Sequence, residues 1–236
     1  MSHAQHHAMS DADPGTDASG HRARLRERLT EGPEALLDHE LIEYLLMLAI
    51  PRRETKTIAR RLIAEFGGIG GVLGADARAL ARQGGLSDTA VAAIKIAEAA
   101  ALRLLRSRVT GRPVLASWQA VLDYLRADMA HRTIERVRVL HLNSKNMLIR
   151  DELASEGSID QAAVYVREII RSALDMGSAS LILVHNHPSG DPQPSRQDIA
   201  LTRDLVNAAK PLGIAIHDHV IIAGGGHASL RAMGLM

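Results

Sequence analysis

Two histidines stand two residues apart at the end of an apolar run, Ser180-Leu-Ile-Leu-Val-His-Asn-His187. On a strand, residues i and i+2 point to the same face, so the imidazoles of His185 and His187 can reach one metal ion. Asp198 follows in Ser195-Arg-Gln-Asp198, about one turn into the next predicted helix, whose positive N-terminal end favours a carboxylate. Two nitrogens and one hard oxygen leave a fourth tetrahedral position for water, the pattern of a catalytic rather than a structural zinc site. Each piece also has an ordinary explanation. His-x-His at a strand end can be two hydrogen-bonded or solvated histidines, Ser195 and Asp198 read as a capping box, and Pro188, Pro192 and Pro194 can simply stiffen a loop.

Such a site needs a buried strand, a stiff loop and a helix start, and the second half of the chain is patterned to supply them. Ser117 opens an amphipathic helix to about Met129, and Arg136–Leu142 alternates like a strand with one buried face. Asn143–Asn146 is turn-like, and Met147–Leu153 reads as the hairpin partner. A helix near Gln161–Met176, the buried strand ending in Val184, a helix over Ser195–Lys210 and strands over Ile214–Ala223 and Ala228–Leu230 complete the order αββαβαββ. This order predicts an α/β domain with a mixed β-sheet and flanking helices over residues 114–236.

The first half is helical throughout, a small all-α domain over residues 22–106. Asp38 is placed as the cap of a helix stopped by Pro51, Thr55–Phe66 ends at Gly67 and Gly68, and Asp76 and Asp88 are placed as caps of the next two. Residues 107–113, Ser-Arg-Val-Thr-Gly-Arg-Pro, read as a linker. Residues 1–21 lack apolar periodicity and read as a disordered tail, in which His3, His6 and His7 are taken as incidental.

Composition narrows the chemistry. With 236 residues, 46% hydrophobic, the chain can bury a sizeable core; with no cysteine among them, disulfides, thiolate zinc fingers, iron–sulfur clusters and cysteine nucleophiles are excluded. Its five aromatics are too few for a base-stacking platform. Net charge is +1 overall, but residues 22–108 hold 15 bases against 11 acids, a local +4. No apolar run approaches the roughly 20 residues that span a bilayer, so a cytoplasmic protein without membrane contact is expected.

The stretch from His185 to Asp198 resembles the metalloprotease motif of the JAB/JAMM (MPN) domain: two histidines flanking one residue, then seven residues, Ser195, two residues and Asp198. Most of that superfamily has Ser or Thr where Asn186 stands, but the RadC-like branch has Asn, and its His-Asn-His-Pro-Ser-Gly-Asp-Pro string runs intact over His185–Pro192. Leu142–Asn146, Gly157-Ser158, Val166–Glu168, Asp218-His219 and Ser229-Leu230 resemble further landmarks of that branch. The resemblance implies a JAB/MPN-like fold, one Zn2+ ion on His185, His187 and Asp198, and hydrolysis of amide or isopeptide bonds in a peptide or protein substrate. It also implies an upstream glutamate as general base then acid, and a hydrogen bond from Ser195 to the oxyanion. Glu135, directly before the 136–142 strand, fits that glutamate, with Glu168 as the rival. His217-Asp-His219 is a second His-x-His, readable as core or edge histidines or as residues orienting a ligand imidazole.

Phe66–Gly71 and Gly84–Asp88 resemble the hairpins of helix-hairpin-helix domains, whose backbone amides can hold DNA phosphates, although Ser87 replaces the usual second glycine. Glycine serving only as helix stop or packing residue is the competing reading. Two functions therefore stand side by side: a zinc metallopeptidase, or a DNA-associated repair or recombination accessory protein. The second would contact DNA through residues 22–108, with Arg52, Arg53, Arg60 and Arg61 in reach, and its metal site would be structural or of other specificity.

Overall fold

In the computed structural model, residues 14–51, 53–83, 85–157 and 162–236 are described. His3, His6, His7, Arg52, Gly84 and Ser158 lie outside them. Six helices form the first half: α1 (Pro14–Glu31), α2 (Asp38–Ala49), α3 (Lys56–Phe66), α4 (Ile69–Gly74), α5 (Ala77–Ala81) and α6 (Asp88–Val109). Residues 14–21, expected in the tail, are helical, with Pro14 at the first position, where a missing N–H costs nothing. Ile42 and Leu46 of α2, Leu62 of α3, Val72 of α4, Leu80 of α5 and Ile94 of α6 close one aliphatic core.

Two of the expected caps shift. Leu37, not Asp38, precedes α2, and its amide is taken by the Glu40 carboxylate at 2.9 Å. Asp38 instead accepts the amide of Ile69 at 3.2 Å and so caps α4 from across the block. Ser87 caps α6, and Asp88 is its first residue. Asp76 caps α5 as expected, accepting from Arg78 and Ala79. The helix α6 also takes residues 107–109 out of the expected linker, because Val109 is buried in the core beneath the sheet.

The second half comprises α7 (Trp118–Met129), β1 (Arg136–Leu142), β2 (Leu148–Glu156), α8 (Ala162–Asp175), β3 (Ser180–His187), α9 (Arg196–Ala209), β4 (Ala215–Ala223) and β5 (Gly226–Ser229). Ser117 does not cap α7; its hydroxyl donates to the Pro113 carbonyl. The sheet order is β2-β1-β3-β4-β5, with β3 and β4 parallel and every other pair antiparallel. Central β3 is covered on both sides, as its unbroken apolar run requires. Ile182 and Val184 pack on α7 with Val121, Leu125 and Met129. Leu181 and Leu183 pack on α8 and α9 with Ile169, Leu201 and Leu205. This alternation sends the odd-numbered His185 and His187 to the α8/α9 side, and Asn186 to the α7 side.

The helical block is joined to the sheet domain by more than its connecting chain. Arg132, just after α7, donates to Glu98 of α6 at 2.9 Å and to the carbonyl of Gly74 at the end of α4. His131 lies so close to α4 that a Cβ on Gly70 would stand 2.7 Å from its Nε2. Among the described residues, no helix is long and apolar enough to cross a membrane.

Candidate metal centre

β3 delivers His185 and His187 at its C-terminal end, beside the N-terminus of α9. Their Nε2 atoms are 2.9 Å apart. Asp198, the third residue of α9, reaches both: Oδ1 lies 3.2 Å from His185 Nε2, and Oδ2 lies 3.5 Å from His187 Nε2. Glu135 approaches from the residue before β1, its Oε1 3.8 Å from His185 Nε2. Glu135, His185 and His187 offer ligand atoms that all lie within 4.8 Å of one another. Asp198 uses a different oxygen toward each histidine, and both contacts are closer than that of Glu135 to His185.

The hydrogen bonds behind the site fix which imidazole nitrogen holds its proton, assigned from the partners. His187 Nδ1 lies 2.8 Å from the carbonyl of Asp191, which only accepts, so Nδ1 holds the hydrogen and Nε2 a lone pair. Thr202 donates its hydroxyl to the Asp198 carbonyl at 2.6 Å, so its oxygen must accept from His219 Nδ1 at 2.6 Å. The His219 Nε2 lone pair then accepts from His185 Nδ1 at 2.8 Å, leaving a second lone pair on His185 Nε2. Burial holds His219 far below the ordinary histidine range, as this neutral relay requires.

Two lone pairs thus face each other beside two carboxylates. A proton can lie between only two of these groups at a time, whereas a metal ion can bond several at once. The donor set fits such an ion, N and N with hard oxygen, held in place by hydrogen bonds to the ligands' far sides.

Ser195 and Asp198 form a reciprocal cap at the start of α9. The Ser195 amide donates to Asp198 Oδ2 at 2.6 Å, and Ser195 Oγ accepts from the Asp198 amide at 3.2 Å. Burial acting alone would raise the Asp198 carboxyl, but the neighbouring His185 and the bonds from Ser195 hold it well below the usual carboxylate range. Glu135 is shifted the other way, raised by desolvation. The side chains of His185 and Asp198 are 2% and 1% exposed against 16% and 21% for His187 and Glu135, so the site opens on the Glu135 side.

The sequence profile of the RadC-like JAB domain matches residues 115–235. A UPF0758 protein of Rhodobacter capsulatus is 51% identical over 213 residues, 90% of this chain and 100% of that protein. The chain belongs to the RadC-like JAB family. Its mixed five-stranded sheet with flanking helices is the JAB/MPN fold, and Glu135, His185 and His187, which could hold a metal ion, lie within the matched residues.

Within this RadC-like JAB domain, the rival glutamate stands apart from the histidines. Glu168 lies on α8, paired with Arg171 at 2.6 Å and Arg167 at 3.4 Å. The two halves of His217-Asp-His219 also part ways. His217 bonds Asn146 at the far turn, whereas His219 backs the site. Spacing along the chain offers His219 without singling it out, and carries no signal for Thr202 or for the role of Asn186. The parallel β3–β4 register, which sets His219 beside Leu183 at the foot of the motif, was the missing information.

The first glycine hairpin turns inward. Gly67 and Gly68 take positive φ, and a Cβ on Gly71 would lie 1.7 Å from the Phe66 carbonyl, so packing demands glycine there. Its first α4 amide is already held by Asp38. At the second hairpin, Arg53 donates to the Gly85 carbonyl.

Proposed function

We propose that this chain is a zinc-dependent hydrolase of amide or isopeptide bonds in peptide or protein substrates. The supporting observation is the pair of converging Nε2 lone pairs, each set by a carbonyl or hydroxyl behind it, beside Asp198 and Glu135. His185, His187 and Asp198 would hold the ion. When bound, zinc supplies a water acidified toward about pH 7 and polarises the scissile carbonyl. Glu135 accepts the proton of the attacking water and returns it to the leaving amine. Its raised proton affinity suits both tasks better than an ordinary carboxylate does. Ser195 donates its hydroxyl to the developing oxyanion, a task worth about 2.7–4 kcal/mol where comparable donors have been deleted.

The test combines metal content with turnover. Wild type binds one zinc ion, and His185→Ala and Asp198→Ala lose it. Glu135→Gln keeps zinc but cleaves a peptide and lysine-isopeptide library about 10²–10⁴-fold more slowly. Full zinc retention by both ligand variants would sink the assignment.

DNA contact through residues 22–108 is the second reading, and the +4 charge of that block is what favours it. It has less support, because the first hairpin faces His131 and its leading amide is capped by a carboxylate. Salt-dependent DNA binding by the full chain, lost on neutralising Arg53, Arg60 and Arg61, would favour it.

A further inference from the structure

Asn186 sits between the two candidate ligands yet faces away from them, buried on the α7 side of the sheet. Its amide is spent wholly on one short segment. Oδ1 accepts from the Arg136 amide at 2.8 Å, and Nδ2 donates to the carbonyls of Ile134 at 3.2 Å and Arg132 at 3.4 Å. Glu135 lies between the first two of those groups. The N-terminal end of the same segment is gripped from the helical block. The Arg132 guanidinium bonds Glu98 of α6, the Gly74 carbonyl of α4 and the Asp128 carbonyl of α7. Glu98 is in turn paired with Lys95, whose ammonium also holds the carbonyls of Leu73 and Ala75 around the end of α4.

We propose that residues 131–136 form a clamp through which the helical block sets the position of Glu135, with Asn186 and Arg132 as positioning residues. The step rests on the reading of Glu135 as the proton-handling carboxylate; the clamp itself rests only on these contacts. The physical reason is the absence of slack. Three residues separate Arg132 from Arg136, both ends are tied by buried or half-buried polar bonds, and the Glu135 carbonyl is pinned by the Gly157 amide at 2.9 Å. A shift of α6 or α4 against the sheet therefore reaches Glu135, while His185, His187 and Asp198, carried by β3 and α9, stay in place. A displacement of about 1 Å is enough to cost a reaction about 10²-fold.

The experiment uses the full chain with Glu98→Ala, Glu98→Gln and Asn186→Ala. Three quantities are followed: zinc affinity by chelator competition, hydrogen exchange at the Arg136 amide against the β4 amides of Val220 and Ile221, and kcat and KM on a cleaved library peptide. In Glu98→Ala, zinc affinity stays within about twofold and the β4 amides are unchanged. Arg136 exchange rises about tenfold, the change expected for one lost charge-assisted hydrogen bond. kcat falls with KM held, and Glu98→Gln, which keeps an acceptor, recovers most of both. Asn186→Ala gives the larger loss, about 10²-fold in kcat. Arg136 exchange in Glu98→Ala equal to wild type, or rising only in step with β4, overturns the clamp. Should wild type cleave nothing, the hydrolase reading fails while the exchange comparison still decides the clamp. Should Glu98→Ala not fold, Glu98→Gln is read by the same amide ratio, and no change in that ratio overturns the clamp.

Discussion

Replacing His219 by Phe removes both nitrogens of the relay while keeping an aromatic ring of similar size in a fully buried position. The His185 Nδ1–H, now 2.8 Å from an acceptor, would face carbon, and Thr202 would lose the donor at 2.6 Å. Leaving one buried donor unsatisfied costs about 1–3 kcal/mol. The imidazole escapes part of that cost by turning or changing tautomer, and either response spoils Nε2 as a ligand. Partners of this kind are worth about 10–100-fold in metal affinity, or about 1.4–2.7 kcal/mol, which agrees with the buried-donor figure. Zinc competition against a chromophoric chelator at pH 7.5 should therefore show a Kd raised about 10–100-fold in His219→Phe. Thr202→Val, one bond further out, should show a smaller rise. A zinc affinity for His219→Phe within about twofold of wild type, with His185→Ala still losing the ion, would refute the tautomer relay.

Two further outcomes follow from the packing and the buried histidines. Gly71→Ala must push its Cβ off the Phe66 carbonyl, 1.7 Å away, and should lose about 3 kcal/mol or more in urea unfolding, where a Gly→Ala change at an open helical site would gain stability. Burial lowers His131, His141, His217 and His219 in the folded chain, so the unfolded state binds more protons as pH falls through about 6.5. Stability of the metal-free protein is then present above that pH and lost below it. The urea midpoint should drop between pH 7.5 and 5.5, and His141→Gln should flatten the drop; a midpoint that rises on acidification would contradict the burial.

Local signals were legible where one residue type leaves few choices. The apolar run of β3 could only be a covered strand, and Pro51, Gly67 and Gly68 could only end helices. Caps were read less well, because any acid near a helix start looks alike in one dimension. Asp38 opens α2, yet its carboxylate serves α4, which begins 31 residues further along the chain. The linker boundary moved for a related reason: Val109, the last residue of α6, is buried in the core beneath the sheet.

The site divides along the same line. Spacing alone brings the candidate ligands His185, His187 and Asp198 to a common edge, through a period of two on a strand and one helical turn beyond Ser195. Glu135 needed more than spacing. Only the antiparallel pairing of β1 with β3, Val137 opposite His185, decides that it and not Glu168 reaches the imidazoles. The proton on each imidazole was likewise a tertiary decision. It is set by His219, Thr202 and the Asp191 carbonyl, and whether a histidine presents a lone pair or a hydrogen depends on what lies behind it, which no spacing along one strand can encode.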